Sequence, residues 1–196
     1  MSSFAVYLEK VAAALEANSK RFEELDSAAG DGNLGITAGK IAEGIRSGSK
    51  SLTGELKTDL MNVGKEISKT APSTFGTLFA TGFIRASTVV SPDNSPLVNA
   101  QKGFQAAFDG ISARGKAQLG ERTLLDALHP AIQALNGVSE LSAAFADAAI
   151  AARAGAKSTA EMMPRHGRAG WIGERAKGLE DAGANVVAVV FEALRP

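Results

Sequence analysis

Leu25-Asp26-Ser27-Ala28-Ala29-Gly30-Asp31-Gly32-Asn33-Leu34-Gly35-Ile36-Thr37 packs two aspartates, an asparagine and three glycines between two helical patterns. Gly30, Gly32 and Gly35 spell G-x-G-x-x-G, the dinucleotide-binding fingerprint, which requires a strand before the glycines and a helix after them. Upstream, the apolar residues Phe4, Leu8, Val11, Leu15 and Phe22 are spaced by three, four and seven. That is helical spacing, so the Rossmann reading fails and the stretch joins two helices.

The acids decide what replaces it. A glycine-rich loop at a helix start offers backbone N–H groups to anions, but Asp26 and Asp31 would repel a phosphate placed there. Phosphate and carboxylates share a loop if a cation sits between them, and hard oxygen ligands select Mg²⁺ or Ca²⁺. An EF-hand is excluded because the acid spacing differs and the glycine is not at the sixth loop position. The alternative is an ordinary turn, since Asp, Asn and Gly are frequent turn formers.

At 196 residues the chain fits one domain, 1–196, and is long enough to bury a substantial core. Lys plus Arg balance Asp plus Glu, 21 against 21, so no net field draws the chain to nucleic acid. Without cysteine there is neither a disulfide framework nor a thiolate metal site. The N-terminus lacks a basic region followed by an apolar one, and no apolar run is long enough to span a bilayer. A cytoplasmic location is the default expectation.

Helical patterns follow one another along the chain. The first starts near Ser2 or Ser3, either a good N-cap. Gly35 opens the second, with Ile36, Ile41 and Ile45 inward and Ser47-Gly48-Ser49 as its stop. Leu56, Leu60, Val63 and Ile67 mark a third, and Phe75, Leu78, Phe79 and Phe83 a fourth after the break at 70–74. Pro96 suits a first helical position. It leads into Leu97, Phe104, Phe108 and Ile111, ended by Arg114-Gly115-Lys116. Leu124, Leu125, Leu128 and Leu135 follow, with Pro130 at an expected kink. Ser139 is the expected cap of an alanine-rich helix through Leu141, Phe145 and Ala149. A glycine- and charge-rich stretch runs from Gly155 to Gly183. Val186 to Leu194 is read as helix, because a lone strand has no partner.

The expected fold is therefore all-α, an antiparallel up-and-down bundle of about eight helices with short loops. In such a bundle alternate loops fall at one end, so 26–35, 70–74, 114–123 and 155–183 are expected to converge.

Five dispersed segments carry a family resemblance. They are Leu25-Asp26 with Gly30-Asp31-Gly32-Asn33 and Gly35; Phe75-Gly76-Thr77; Arg114-Gly115-Lys116-Ala117; Arg122 to Leu128; and Gly167-Arg168-Ala169 through Gly173-Glu174-Arg175. In this order they resemble the nucleotide-binding L subunit of dihydroxyacetone kinase, which is also the C-terminal domain of single-chain dihydroxyacetone kinases. The resemblance spans essentially the whole chain. It implies an eight-helix antiparallel barrel with an adenine nucleotide, ADP or ATP, and two Mg²⁺ at one end.

The family's three metal-binding aspartates fall on Asp26, Asp31 and position 33, which here is Asn33. An amide oxygen still coordinates Mg²⁺, but one negative charge is missing, so weaker binding of one metal or a single-metal site is expected. Many members carry histidine where this chain has Leu34. By the same correspondence Leu34, Gly35, Ile36 and Thr37 open a helix onto the phosphates. Ser73 and Thr74 stand where members have Gly-Ala-Ser-Gly, and Gly115 and Leu124 line the adenine side. Arg168 lies against the phosphates as the catalytic cation. Asp181-Ala182-Gly183 replaces the family's Asp-Pro-Gly around the nucleotide.

The implied activity is phosphoryl transfer, which asks mainly for positioning and charge neutralisation. In the family the ketose is bound by a separate K subunit, and the donor is either ATP or ADP re-phosphorylated by a phosphotransferase-system protein. Neither nucleic acid nor membrane is an expected partner. Two rivals remain, a catalytically impaired nucleotide-binding regulatory module of the same fold and a purely structural bundle. His129 reads as packing or surface, His166 as solvent-exposed or touching phosphate, and Glu174-Arg175 as a local ion pair. Trp171 reads as a core anchor or a residue of the barrel mouth. Phe75 and Phe79 read as core.

Overall fold

The computed structural model describes residues 3–196, so Ser2, one of the two expected N-caps, lies outside the described residues. Helices α1 (Ser3–Ala17) and α2 (Ser19–Ala29) occupy the first helical pattern. They are divided at Asn18, whose amide nitrogen donates to the Ala14 carbonyl at 2.8 Å in competition with the backbone. Phe22 N still donates to Asn18 O at 3.0 Å, so the pair forms one bent helix. Leu8, Val11, Leu15 and Phe22 are buried along it.

There follow α3 (Leu34–Ser49), α4 (Leu56–Thr70), α5 (Thr74–Ser87), α6 (Pro96–Gly115), α7 (Leu125–Leu135) and α8 (Leu141–Ser158). The single turn α9 (Ala169–Ile172) and the closing helix α10 (Ala182–Ala193) complete the chain. With α1–α2 taken together and α9 set aside, these are the eight expected helices. There is no strand among the described residues, and none of their helices is long and apolar enough to cross a membrane.

Each long helix packs on its successor from α3 to α8, α10 follows α8, and α1 meets both α10 and α3, which closes the ring. Small residues let the helices approach closely. Ala38, Ala42, Ala127, Ala131, Ala148, Ala152 and Ala188 are fully buried. At Gly48 a Cβ would come within 2.7 Å of Val63 Cα, and at Gly155 within 2.4 Å of the Asp126 carbonyl. Larger side chains do not fill the barrel completely. An apolar hollow of about 490 Å³ remains, lined by Phe79, Phe83, Ile111, Leu128, Phe145 and Val187 among others.

Several local expectations are corrected. Gly155 lies inside α8 and not in a loop. The expected stop of α3 holds, since the helix ends at Ser49, and Gly48 just before it also serves contact with α4. The residue before α8 is Glu140, in extended conformation with no side-chain cap, rather than Ser139. Ile36 is 61% exposed while Ile41 and Ile45 are fully buried. The inward stripe of α3 is Leu34, Ala38, Ile41 and Ile45, and Ile36 falls outside its register. Phe75 and Phe79 are half-buried against the core rather than enclosed by it.

Candidate functional site

The connectors 30–33, 71–73, 116–124 and 159–181 meet at one end of the barrel. Thr37 Oγ1, in the first turn of α3, lies 3.5 Å from Ser73 Oγ at the start of α5. A Cβ on Gly183 would sit 3.0 Å from the Phe75 ring and 3.6 Å from Leu124 Cβ. Asp181 N donates to Thr159 Oγ1 at 2.8 Å, and Arg165 N to Glu121 O at 3.3 Å. Arg168 pairs with Asp31 across the mouth.

Asp26 lies in the last turn of α2 with its carboxylate on the start of α3, where Oδ2 accepts the Leu34 N–H at 3.0 Å. A carboxylate at a helix N-terminus satisfies an orphan donor and complements the dipole. The turn between the helices needs its glycines. Gly32 has φ of 73°, and at Gly30 a Cβ would fall 2.5 Å from Asp26 Oδ1. Gly35 lets α3 approach α2, since a Cβ there would lie 2.4 Å from Ser19 O. The loop is thus both a tight turn and a carboxylate cradle.

Asp31 accepts from the Asn33 backbone N–H at 3.4 Å, from the Asn33 side-chain amide and from Arg168. The N–H groups of Gly35 and Ile36 fall in the first turn of α3, where intrahelical acceptors are missing. Among the described residues no three His, Cys, Asp or Glu side chains are grouped to hold a metal. The third position here is the amide of Asn33. Two carboxylates and an amide oxygen are nevertheless hard donors of the kind Mg²⁺ takes. The guanidinium of Arg168 stands on Asp31 where a cation is called for.

Two further helix starts face the same end. Ser73 caps α5, its Oγ accepting from Gly76 N at 3.0 Å, while Thr74 beside it is exposed. Asp181 caps α10, accepting from Ala184 N at 2.7 Å, with Ala182 and Gly183 in the first turn. Burial pushes the Asp181 carboxyl up to about 6, against the Ala184 hydrogen bond and Arg122, which favour the charged form. Gly115 ends α6 against the Leu78 side chain, and Lys116 turns the chain in the left-handed conformation. Leu124 is buried beside Gly183. Contacts thus bring Asp26, Asp31, Asn33, Leu34, Arg168, Thr37, Ser73, Leu124 and Asp181–Gly183 to this end, while Gly115, at the end of α6, is placed only against Leu78.

Sequence reasoning gave no site role to three neighbouring residues, Glu121, Arg122 and Asp126, although the last two fall in a segment that carried the resemblance. Asp126 accepts from Gly120 N at 2.6 Å and Thr123 N at 2.8 Å, which pins the 118–126 turn. Glu121 holds His166 at 2.6 Å, so that histidine is half-buried against a carboxylate. The Gln118 N–H and then His166 hold the Glu121 carboxyl below its ordinary value. Arg122 is buried, with 2% of its surface exposed. Nothing in the run Arg-Thr-Leu-Leu-Asp signals that its arginine points inward. His129 packs on Phe108 with ring centroids 5.6 Å apart. Trp171 is 85% exposed and anchors no core.

The DAK2 domain family matches residues 28–196. The chain belongs to that family. This DAK2 domain is 30% identical over 184 residues to the ADP-binding subunit DhaL of PEP-dependent dihydroxyacetone kinase 1 from Listeria innocua. That alignment covers 92% of this chain and 88% of the relative. It is 34% identical over 140 residues to the corresponding Escherichia coli subunit, covering 69% of this chain and 67% of that one. An L-erythrulose 1-kinase of Mycolicibacterium smegmatis is 30% identical over 183 residues, 90% of this chain and 32% of that protein.

Among solved structures the domain superposes on the dihydroxyacetone kinase of C. freundii with a TM-score of 0.80 at 25% identity. It spans 99% of this chain and 34% of that one, about a third of the larger kinase. The same kinase in complex with AMP-PNP and Mg²⁺ gives a TM-score of 0.78 at 26% identity, over 97% of this chain and 33% of that one. The expected L-subunit relationship and all-α barrel are thereby established.

Proposed function

We propose that this DAK2 domain binds a magnesium–adenine nucleotide at the convergent end of the barrel and passes a phosphoryl group to a ketose or polyol hydroxyl. The substrate would be held on a separate K subunit. The observation that carries the proposal is the meeting of Asp26, Asp31 and Asn33 with the starts of α3, α5 and α10 at one mouth. Asp26, Asp31 and Asn33 would hold the metal. Because Asn33 supplies an amide in place of a carboxylate, one ion is favoured over two. Bound Mg²⁺ would supply charge neutralisation between the carboxylates and the β- and γ-phosphate oxygens.

The chain's own residues do the positioning. The Leu34–Thr37 backbone, with Ser73 and Thr74 opposite, would cradle the phosphates. Gly115 and Leu124 would border the adenine, and Asp181, Ala182 and Gly183 would close the remaining side. Arg168 would exchange Asp31 for the phosphates and offset charge developing in transfer. Asp181 and the His166–Glu121 pair are engaged in the fold, so the acceptor's proton would be removed on the substrate subunit. Ile36, Leu119, Met163 and Trp171 are exposed apolar residues of the converging connectors and α3 start, suited to contact with that subunit. The Listeria and E. coli relatives are named as ADP-binding subunits of PEP-dependent kinases. This favours ADP re-phosphorylated by a phosphotransferase-system protein over exchangeable ATP. Such a system would operate in the cytoplasm.

The test is thermal unfolding with Mg-ADP, where saturation at 100 times Kd adds roughly 2.7 kcal/mol. Asp31→Ala should abolish the shift, and an unchanged shift in that variant would overturn the site. A second reading, a regulatory module that binds nucleotide without transfer, is favoured by Asn33 and Leu34. A coupled assay with a cognate K subunit and ketose separates the two, since only the first turns over.

A further inference from the structure

Arg122 bears two penalties at one residue. Its guanidinium is buried, with Nη2 donating to the Leu179 carbonyl at 2.8 Å and with Nε and Nη1 lacking any hydrogen-bond partner. A buried cation left partly unpaired is costly to a fold. Its backbone is also left-handed, with φ of 59°. Among the described residues Lys116 is the one other non-glycine with positive φ, and it merely ends α6. Strain and buried charge persist where the surroundings enforce them, and such places cluster at working sites.

The surroundings of Arg122 point to the nucleotide end. Leu179 lies two residues before Asp181, at the point where the 159–181 connector enters α10. The same connector carries Arg168 to Asp31 at its outer end. Burial pushes the Arg122 guanidinium down and the Asp181 carboxyl up, and the attraction between the two, which are within electrostatic reach, works against both shifts. Its neighbours fix the connector at a second place, where Arg165 N meets Glu121 O and His166 meets Glu121. Nε and Nη1 of Arg122 are closed off from solvent and Nη2 is engaged by Leu179 O, so any effect on a ligand passes through the residues it holds.

We infer that Arg122 is a positioning residue of the nucleotide site. By gripping Leu179 and facing Asp181 it sets the place of Asp181–Gly183 and of the connector that bears Arg168. The inference rests on the nucleotide reading above. It differs from a plain structural tether in one consequence. Exchanging a partly unpaired buried cation for an apolar side chain of similar length is often neutral or stabilising. Stability and ligand affinity should therefore move apart.

The experiment compares wild type, R122M and R122K by thermal melting, by amide exchange without nucleotide, and by calorimetric titration with Mg-ADP. R122M should melt at or above the wild-type temperature, exchange about tenfold faster across residues 176–184, and bind Mg-ADP about tenfold more weakly. R122K keeps a charge for Asp181 and should recover part of the affinity. Wild-type affinity in R122M would overturn the inference, and so would unchanged exchange. If both variants melt far below wild type and lose affinity only in step with unfolding, the residue is structural and the inference fails. A wild-type protein that ignores Mg-ADP, with R122M still exchanging faster, sinks the nucleotide reading and the positioning role together. That pattern is distinct from retained binding in R122M, which sinks the role alone.

Discussion

Asn33 donates its side-chain amide to Asp31, so the two residues attract each other where a pair of carboxylates would repel. Asn33→Asp should therefore act with opposite signs in two conditions. Without metal it should lower the melting temperature slightly. With Mg-ADP it should tighten Mg²⁺ binding about tenfold, roughly the 1.4 kcal/mol that one good charge contact supplies. Magnesium titrations at fixed ADP measure this, and equal affinities would show that position 33 does not touch the ion. Asp181 gives a pH signature. Its folded carboxyl titrates near 6, above its ordinary 3.8, so folding favours the protonated form. Its contribution to stability is present below about 3.8 and is lost as pH rises through about 6. Asp181→Asn keeps a capping side chain without this titration. Melting across that interval should show the wild type losing ground to the variant as pH rises, and parallel curves would contradict the burial of the carboxyl.

Glycines in the helices divide by what their missing Cβ would meet. At Gly82, inside α5 and beside the hollow, a Cβ would find Ala107 and Ile111 at 3.5 Å, an ordinary contact. Gly82→Ala should raise stability by about 1 kcal/mol through helix propensity. At Gly155, in α8, a Cβ would lie 2.4 Å from Asp126 O and 2.9 Å from Ala127 Cα. Gly155→Ala should cost about 1–3 kcal/mol by forcing α7 and α8 apart. It would also displace the turn that Asp126 pins. Urea unfolding of both variants tests the pair, and a shared sign would refute the distinction. This is also where helix boundaries escape sequence reasoning. Gly155 looks like the start of a loop, yet it marks a contact between α7 and α8 that no local rule contains.

The barrel brings distant connectors to one mouth, and Trp171, the chain's sole tryptophan, stands there almost fully exposed. Its emission should be solvent-like in the isolated domain and shift to the blue when a K subunit docks over the nucleotide. No shift on a complex demonstrated by other means would place the docking face elsewhere. The helix pattern made the all-α class, the order of the helices and the sharing of one end by alternate loops legible. The five segments in register made the acidic 26–33 loop and Arg168 legible as candidates. Trp171 was left between core and mouth, and Arg122 and Glu121 were not singled out, because burial depends on what the chain folds against.

From the order of residues alone came the periodicity, the first helical position of Pro96, and the carboxylates framed by glycines. These are local matters of spacing and backbone freedom, complete within a few residues. The ring of helices alone settled that α10 closes on α1, that Ile36 faces out, and that the Arg122 cation lies buried against the Leu179 carbonyl. Those outcomes depend on contacts between segments more than a hundred residues apart or on the space left between helices, which local sequence rules do not specify.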